Sequence, residues 1–348
     1  MNITVSGGGN IGTCFAVHAA EAGHSVTVFT SKPDAFSETL FETDGETGVI
    51  THTGEIHLAT SDPAEAFSMA DLVFLTVPAF LFEEQIRKME PYLPKHTALF
   101  FVPGSGGGEG FAVKVLGKGH PVFGLQRVPA IARLSEYGKT VACKGYRKEL
   151  FTASLKNDAG WAALLMEELF LMPCRTLPNY LNLTLTPSNP ILHTARLYRL
   201  YGEGPVSPLF YEDWDDRTSK ILMEMDGELN RVKAALPGID LSGTKSLMEH
   251  YECHDEKELT EKISHIPAFS GIRTPGPDSR YFHADFSFGL SILLQIAELS
   301  GTAAPKMQEV MSWYRGWMPN EREYRFSDVS IRTKEDLIEF YGNSATVH

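Results

Sequence analysis

Hydrophobic positions are laid out differently in the two parts of this chain. Through roughly the first 180 residues they come as short apolar runs separated by turns and by stretches of helical spacing. Ile3, Thr4, Val5 and Ser6 run straight into Gly7, Gly8, Gly9, Asn10, Ile11 and Gly12. The segment that follows is apolar at Ile11, Phe15, Ala16 and Ala19 until Ala22, Gly23 and His24 end it before an apolar run at 25–29. Strand, glycine turn, helix and strand in that order predict a βαβ unit. Residues 71–78 form the continuous apolar run that a parallel strand buried on both faces requires. Helices are expected at 63–69 and 79–89, and the next strand at 97–102. A short strand pair is expected around 48–50 and 56–58. Residues 121–125 should continue the sheet into 126–133, 139–144 and 150–155 read as paired strands, and a helix at 161–171 precedes a strand near 174–177. After residue 180 the period changes: 181–201, 215–236, 242–251, 256–263, 286–300 and 305–317 all carry helical spacing.

The pattern predicts an α/β protein, with an N-terminal Rossmann-type doubly wound sheet domain over residues 1–180 and an all-helical domain over 181–348. A cleft between two such domains is where a substrate can meet a cofactor. Composition narrows the picture. At 348 residues, 43% hydrophobic and 22% charged, the chain is an ordinary globular protein, and its net charge of -13 argues against nucleic acid or an anionic membrane as partner. No signal peptide fits before Ile3. The longest apolar run, 72–82, is too short to span a bilayer and is broken by Pro78. Cys14, Cys143, Cys174 and Cys253 show neither CxxC nor metal-ligand spacing and read as buried thiols in a reducing cytoplasm. The 12 histidines form no HxH or HExxH cluster, so no metal is expected.

Gly7, Gly9 and Gly12 fit GxGxxG. In that motif the first glycine makes the tight turn, the second lets backbone approach a pyrophosphate, and the third packs helix on strand. Asn10, Ile11 and Gly12 then open a helix whose free N–H groups can hold phosphate. A bare glycine turn with no ligand is the competing reading. A carboxylate roughly 20 residues on would mark NAD by bonding its ribose hydroxyl. Here Thr30, Ser31 and Lys32 stand at the end of the second strand, with Asp34 nearby, and two hydroxyls and a cation suit the 2′-phosphate of NADP, although NAD stays open. Because ligands gather at the carboxyl ends of parallel strands, Thr76, Val77, Pro78 and Gly104 are expected to line the cofactor site.

The helical part opens with Thr186, Pro187, Ser188, Asn189, Pro190, Ile191, Leu192 and His193. Ser188 or Asn189 can cap a helix that starts at Pro190, which places His193 in its first turn, where a positive helix end disfavours imidazolium. A carboxylate partner would offset that and leave a usable general acid. Asp285 is available, in the run Arg280, Tyr281, Phe282, His283, Ala284, Asp285.

At these two stretches the chain resembles the opine dehydrogenase family, of the octopine and nopaline dehydrogenase type. That family carries an Asn-Pro-x-x-His-like segment, matched by Asn189, Pro190 and His193. It also carries Arg-Tyr-x-x-Glu-Asp-(Ile/Val)-Pro-x-Gly-Leu, matched at Arg280, Tyr281, Asp285, Gly289 and Leu290. The resemblance covers the whole length. It implies that His193 and Asp285 are a catalytic dyad and that Arg280 grips the carboxylate of a 2-oxo acid. The amine of an amino acid would condense with that acid and the imine would be reduced by NADPH to an opine. Ala284, Ser287 and Thr194 depart from the pattern around the dyad. The family segment Glu-x-Leu-Pro-x-x-Cys-Arg aligns with Gln126, Val128, Pro129, Ala132 and Arg133, and lacks the Glu and Cys that help hold a guanidinium. Arginine is therefore not the expected amino donor, while Gln126 and Arg133 are expected on the substrate side. The expected partners are small amino and 2-oxo acids, and a homodimer stays open. Two rivals remain: a 2-hydroxy acid or ketopantoate-type reductase, whose catalytic lysine motif is not apparent, and a non-catalytic NADP sensor, which would have no use for His193, Asp285 and Arg280 together.

Overall fold

The computed structural model describes residues 1–186 and 189–342. The chain divides into two compact units, Met1–Leu183 and a second that begins at Thr184. In the first unit the strands are β1 (Asn2–Ser6), β2 (Ser25–Phe29), β3 (Thr39–Asp44), β4 (Ile50–Glu55), β5 (Leu58–Thr60), β6 (Leu72–Leu75), β7 (Ala98–Phe101), β8 (Val122–Leu125), β9 (Ile131–Glu136), β10 (Thr140–Lys144), β11 (Leu150–Ser154) and β12 (Cys174–Thr176). The helices are α1 (Asn10–Glu21), α2 (Pro63–Phe67), α3 (Phe82–Met89), α4 (Gly108–Leu116) and α5 (Gly160–Phe170).

Eight strands form one sheet in the order β12-β11-β8-β7-β6-β1-β2-β5. All its pairings are parallel except β8 with β11. Its central strands β6 and β7 are buried at every residue, as their unbroken apolar runs require. The other four strands make a smaller sheet, β4-β3-β10-β9, that packs on α1. The approach is close: a side chain on Gly54 of β4 would meet the Val17 carbonyl oxygen at 2.5 Å. Covered on its outer face too, α1 is buried at every residue from Gly12 to Ala19, including Cys14 and His18.

The small sheet corrects several expectations. The hairpin near residue 48 is formed by β3 and β4 rather than by residues around 48–50 and 56–58, with Gly48 in the turn at φ +71°. The chain leaves the large sheet after Leu125, so 126–133 does not extend β8 but leads into β9. Residues 140–144 and 150–154 are not partners: β10 pairs with β9 and β3, and β11 with β8 and β12.

The second unit is helical: α6 (Leu181–Thr184) leads into it, followed by α7 (Asn189–Tyr198), α8 (Asp216–Ala234), α9 (Leu247–Tyr251), α10 (Glu256–Ser264), α11 (Ser291–Ser300), α12 (Pro305–Trp317) and α13 (Lys334–Tyr341). The helix expected over 181–201 is interrupted between α6 and α7, and Pro187 and Ser188 lie outside the described residues. α9 starts late because Ser246 caps it in a capping box with Glu249. The stretch expected as helix from residue 286 begins earlier, as a π-helical segment at Tyr281–Leu290 that continues into α11. Among the described residues no helix is long and apolar enough to cross a membrane. All four cysteines are buried free thiols.

Candidate active site

The glycine loop closes between β1 and α1. Gly7 has φ +120°, a conformation open to glycine, and a side chain there would also meet Thr76 Oγ1 at 2.8 Å. At Gly12 a Cβ would run into the Gly7 carbonyl oxygen, so helix and strand approach closer than any side chain permits. Gly9, by contrast, faces open space. It precedes α1, no side chain caps that helix, and its first turn of N–H groups points where an anion can approach. This cradle fits a dinucleotide pyrophosphate. Asn10 opens the helix and its Oδ1 accepts from the Leu134 amide at 2.9 Å, which ties β9 to the loop, while Ile11 packs half-buried on the core. Thr76, beyond β6, donates to the Ser6 carbonyl at 3.1 Å beneath the loop, and the half-buried Val77 and Pro78 follow it.

At the end of β2 the three polar residues part ways. Thr30 is buried, with its hydroxyl 3.0 Å from that of Tyr137, whereas Ser31 and Lys32 are exposed and the Lys32 ammonium lies 5.5 Å from the centre of the Tyr137 ring. Gly104 is buried beyond β7, where a side chain would meet Leu183 at 2.5 Å, and its amide donates to the Leu125 carbonyl at 2.7 Å. Gln126 follows β8 half-buried. Arg133 is exposed on β9, one residue before the contact with Asn10, and donates to the neighbouring Ala132 carbonyl at 2.9 Å. Ala132 is buried opposite Cys143.

In the second unit α7 begins at Asn189, so His193 is its fifth residue and lies just beyond the first turn, not within it. His193 is 2% exposed. Its Nδ1 is 2.7 Å from Asp285 Oδ2 and its Nε2 is 2.7 Å from the Tyr211 hydroxyl. A carboxylate can only accept, so the proton sits on Nδ1 and Nε2 accepts from the phenol. Burial, reinforced by Tyr281, Tyr251 and Asp285, raises the Tyr211 phenol well above its ordinary range and keeps it protonated. The imidazole lies flat on Tyr281, ring centres 4.1 Å apart at 10°, and the exposed Arg280 holds its guanidinium 5.0 Å from the same ring. Asp285 and Tyr281 both belong to the π-helical segment, a form that recurs at functional sites.

Tyr211 is the residue that sequence reasoning missed. It lies in an irregular stretch between the π-helical turn Arg199–Glu203 and α8, where no periodicity marks it. What places it is Arg196, fully buried one turn beyond His193. Its Nε donates to the Phe210 carbonyl at 3.0 Å, Nη1 to Thr218 Oγ1 at 3.1 Å, and Nη2 to Ser207 Oγ at 2.9 Å and the Asp213 carbonyl at 2.6 Å. Burial brings this guanidinium down to about 10, opposed by Asp215 and Asp213, so it stays charged at neutral pH. A fork of fixed donors thus pins the loop on both sides of Tyr211.

Comparison with known proteins bears on this arrangement. Residues 176–318 match the NAD/NADP octopine/nopaline dehydrogenase α-helical domain, and residues 2–104 the NAD-dependent glycerol-3-phosphate dehydrogenase N-terminus. The chain is 30% identical to the uncharacterized protein y4xO of Sinorhizobium fredii (strain NBRC 101917 / NGR234), with 90% of this chain and 94% of that one covered. It is 26% identical to octopine dehydrogenase of Pecten maximus, at 90% and 89%. A solved structure of an octopine dehydrogenase with NADH and L-arginine shares the fold with a TM-score of 0.83, at 23% identity and coverage of 97% and 98%. A glycine loop of this geometry ahead of a domain of this type defines an NAD(P)-dependent oxidoreductase acting on CH–NH bonds. Within that class, the chain belongs to the opine dehydrogenase family.

Proposed function

We propose that this enzyme joins an amino acid other than arginine to a 2-oxo acid and reduces the resulting imine with NADPH. The observation that carries the reading is the buried His193–Asp285 pair with a proton-accepting Nε2, together with Arg280 five residues before Asp285 on one segment. Through the Tyr211 hydroxyl that it accepts from, Nε2 takes the proton released when the amine adds to the carbonyl and returns one to the departing hydroxyl. Asp285 stabilises the imidazolium formed in between, and the Tyr211 phenol passes the proton on. Arg280 binds the 2-oxo acid's carboxylate in a planar fork and fixes the carbonyl's orientation. Gly7, Gly9, Asn10, Ile11, Gly12, Thr76, Val77, Pro78 and Gly104 hold the dinucleotide, with Ser31 and Lys32 on its 2′-phosphate. Bound NADPH supplies the hydride. Gln126 and Arg133 serve the amino substrate, and with Gln126 and Ala132 in place of the family's Glu and Cys the guanidinium of arginine has no matching anion.

A matrix of amino acids against 2-oxo acids, read by NADPH absorbance and product mass, tests this. Oxidation should require both substrates and yield a secondary amine. Arg280→Ala should raise KM for the oxo acid by about 10- to 100-fold, the loss of a charged hydrogen-bond donor. If an oxo acid alone is reduced to its hydroxy acid as fast as the pair reacts, a 2-hydroxy acid dehydrogenase takes the place of this reading.

A further inference from the structure

On the outer face of α1, away from the glycine loop's chemistry, the fold gathers four metal-binding side chains that are far apart in the sequence. Cys14 and His18 stand one turn apart on α1, on the side covered by the small sheet. Glu42 comes from β3 and Cys143 from β10. These strands pair in parallel with Val141 opposite Glu42, so Cys143, two residues on, points to the same face. All four are at most 3% exposed. One carboxylate oxygen is the hub: Glu42 Oε2 lies 3.0 Å from His18 Nε2 and 3.6 Å from Cys14 Sγ. The Cys143 sulfur lies within 4.8 Å of both the Cys14 sulfur and the Glu42 carboxylate. Cys14, Glu42 and Cys143 form one such triad and His18, His52 and Glu42 a second, the two sharing the Glu42 carboxylate. Donors bound tetrahedrally to Zn²⁺ at ~2.0–2.3 Å stand about 3.3–3.8 Å from one another, so the first triad needs small adjustments to hold one ion and His18 would join it across the shared carboxylate oxygen.

The histidine supplies a second argument. His18 Nδ1 is 2.9 Å from the Leu169 carbonyl oxygen, which can only accept, so Nδ1 carries a proton. A neutral ring then turns the lone pair of Nε2 toward the carboxylate, and two acceptors face each other across 3.0 Å. A positive centre is needed there, either a second proton or a metal ion. Fixing one nitrogen on a carbonyl so that the other faces an ion is the usual setting of a ligating histidine. The Tyr146 hydroxyl donates to Glu42 Oε1 at 2.5 Å and orients the carboxylate from outside. Access is provided by a cavity of about 340 Å³ lined by Glu42, Asp44, His52, Cys143 and Tyr146 among others, whose carboxylates would attract a cation.

We propose that Cys14, His18, Glu42 and Cys143 form a site for one thiophilic divalent cation, of which Zn²⁺ is the type, clamping α1 to the small sheet. Two thiolates, an imidazole and a carboxylate suit Zn²⁺ rather than Mg²⁺ or Ca²⁺. Both thiols release their protons to solvent when the ion binds.

The test uses the full chain, reduced, loaded with Zn²⁺ and dialysed against metal-free buffer. Mass-spectrometric elemental analysis should find stoichiometric Zn²⁺. Replacement by Co²⁺ should give intense tetrahedral absorption with a thiolate charge-transfer band in the near ultraviolet. Cys14→Ser and Cys143→Ser should each weaken that band by about half or more and the double variant should abolish it, and Tyr146→Phe should weaken Zn²⁺ binding by ~10- to 100-fold. Should a serine variant fail to fold, zinc-edge X-ray absorption of the wild-type protein decides, with sulfur neighbours at ~2.3 Å expected. Wild-type protein that retains no Zn²⁺, a bound ion with nitrogen and oxygen neighbours alone, or serine variants that hold it as tightly would overturn the proposal and leave the four side chains in a plain hydrogen-bond network.

Discussion

His18 and His193 occupy matching settings in the two units of this molecule. Each projects from a helix, is almost wholly buried, and lies within 3.0 Å of a buried carboxylate, Glu42 in one case and Asp285 in the other. The difference lies at the second ring nitrogen. For His18 that nitrogen is fixed on the backbone carbonyl of Leu169, a group that can neither give nor take a proton. For His193 it meets the Tyr211 hydroxyl, which can do both. A buried imidazole–carboxylate pair is therefore not a catalytic site in itself; in the proposed mechanism it is the exit for the proton on the far side of the ring that sets His193 apart.

The sharpest way to break this comparison is to remove each histidine in turn. His193→Ala should lower kcat by ~10²–10⁴, the usual contribution of general acid–base catalysis, while NADPH titration shows binding retained. His18→Gln should act chiefly on the melting temperature and lower kcat of the folded protein by less than about tenfold. Similar kcat losses in the two variants would erase the distinction drawn from the second nitrogen.

Next in size is the scaffold that brings Tyr211 to His193. Arg196→Met removes the donors of the Phe210 and Asp213 carbonyls, and each buried acceptor left unpaired costs ~1–3 kcal/mol. Urea unfolding should show a loss on the order of 3 kcal/mol. Because the phenol loses its fixed position, kcat should fall by about tenfold or more, with the NADPH affinity little changed. A destabilised variant with full kcat would show that the Tyr211 loop plays no part in turnover.

How far the sequence could be read follows the same division between local and non-local causes. The parallel strands β6 and β7 were legible because burial on both faces leaves unbroken apolar runs, and β1 with its glycine loop because the loop's steric demands are local. His193 and Asp285, brought to 2.7 Å, were matched through the family motif rather than through periodicity. The small sheet was legible only in part, as a strand at 139–144 and a turn near residue 48, and not in its pairing. Its strands mix Thr, Glu and His with few apolar residues, and Glu42 looks like a surface residue until α1 and Tyr146 close over it. Tyr211 escaped for a related reason. Its place depends on Arg196, fifteen residues earlier, whose buried fork no hydrophobic pattern announces.

The smallest effect expected belongs to the other unit and concerns which dinucleotide it takes. In sequence Thr30, Ser31 and Lys32 read together as a 2′-phosphate site, but Thr30 is buried against Tyr137, which leaves Ser31 and Lys32 as the exposed pair at the end of β2. Only one of them carries charge, and an exposed ammonium facing a phosphate is screened by solvent and salt, so its contribution is modest. Lys32→Ala should weaken NADPH binding by roughly tenfold, leave NADH binding within about twofold, and lose most of its effect on NADPH in high salt. Fluorescence titrations with both dinucleotides at two ionic strengths measure all three. Equal weakening of NADH and NADPH would mean that Lys32 acts on a part shared by both molecules, and the proposed preference for NADPH would then lose its charged determinant.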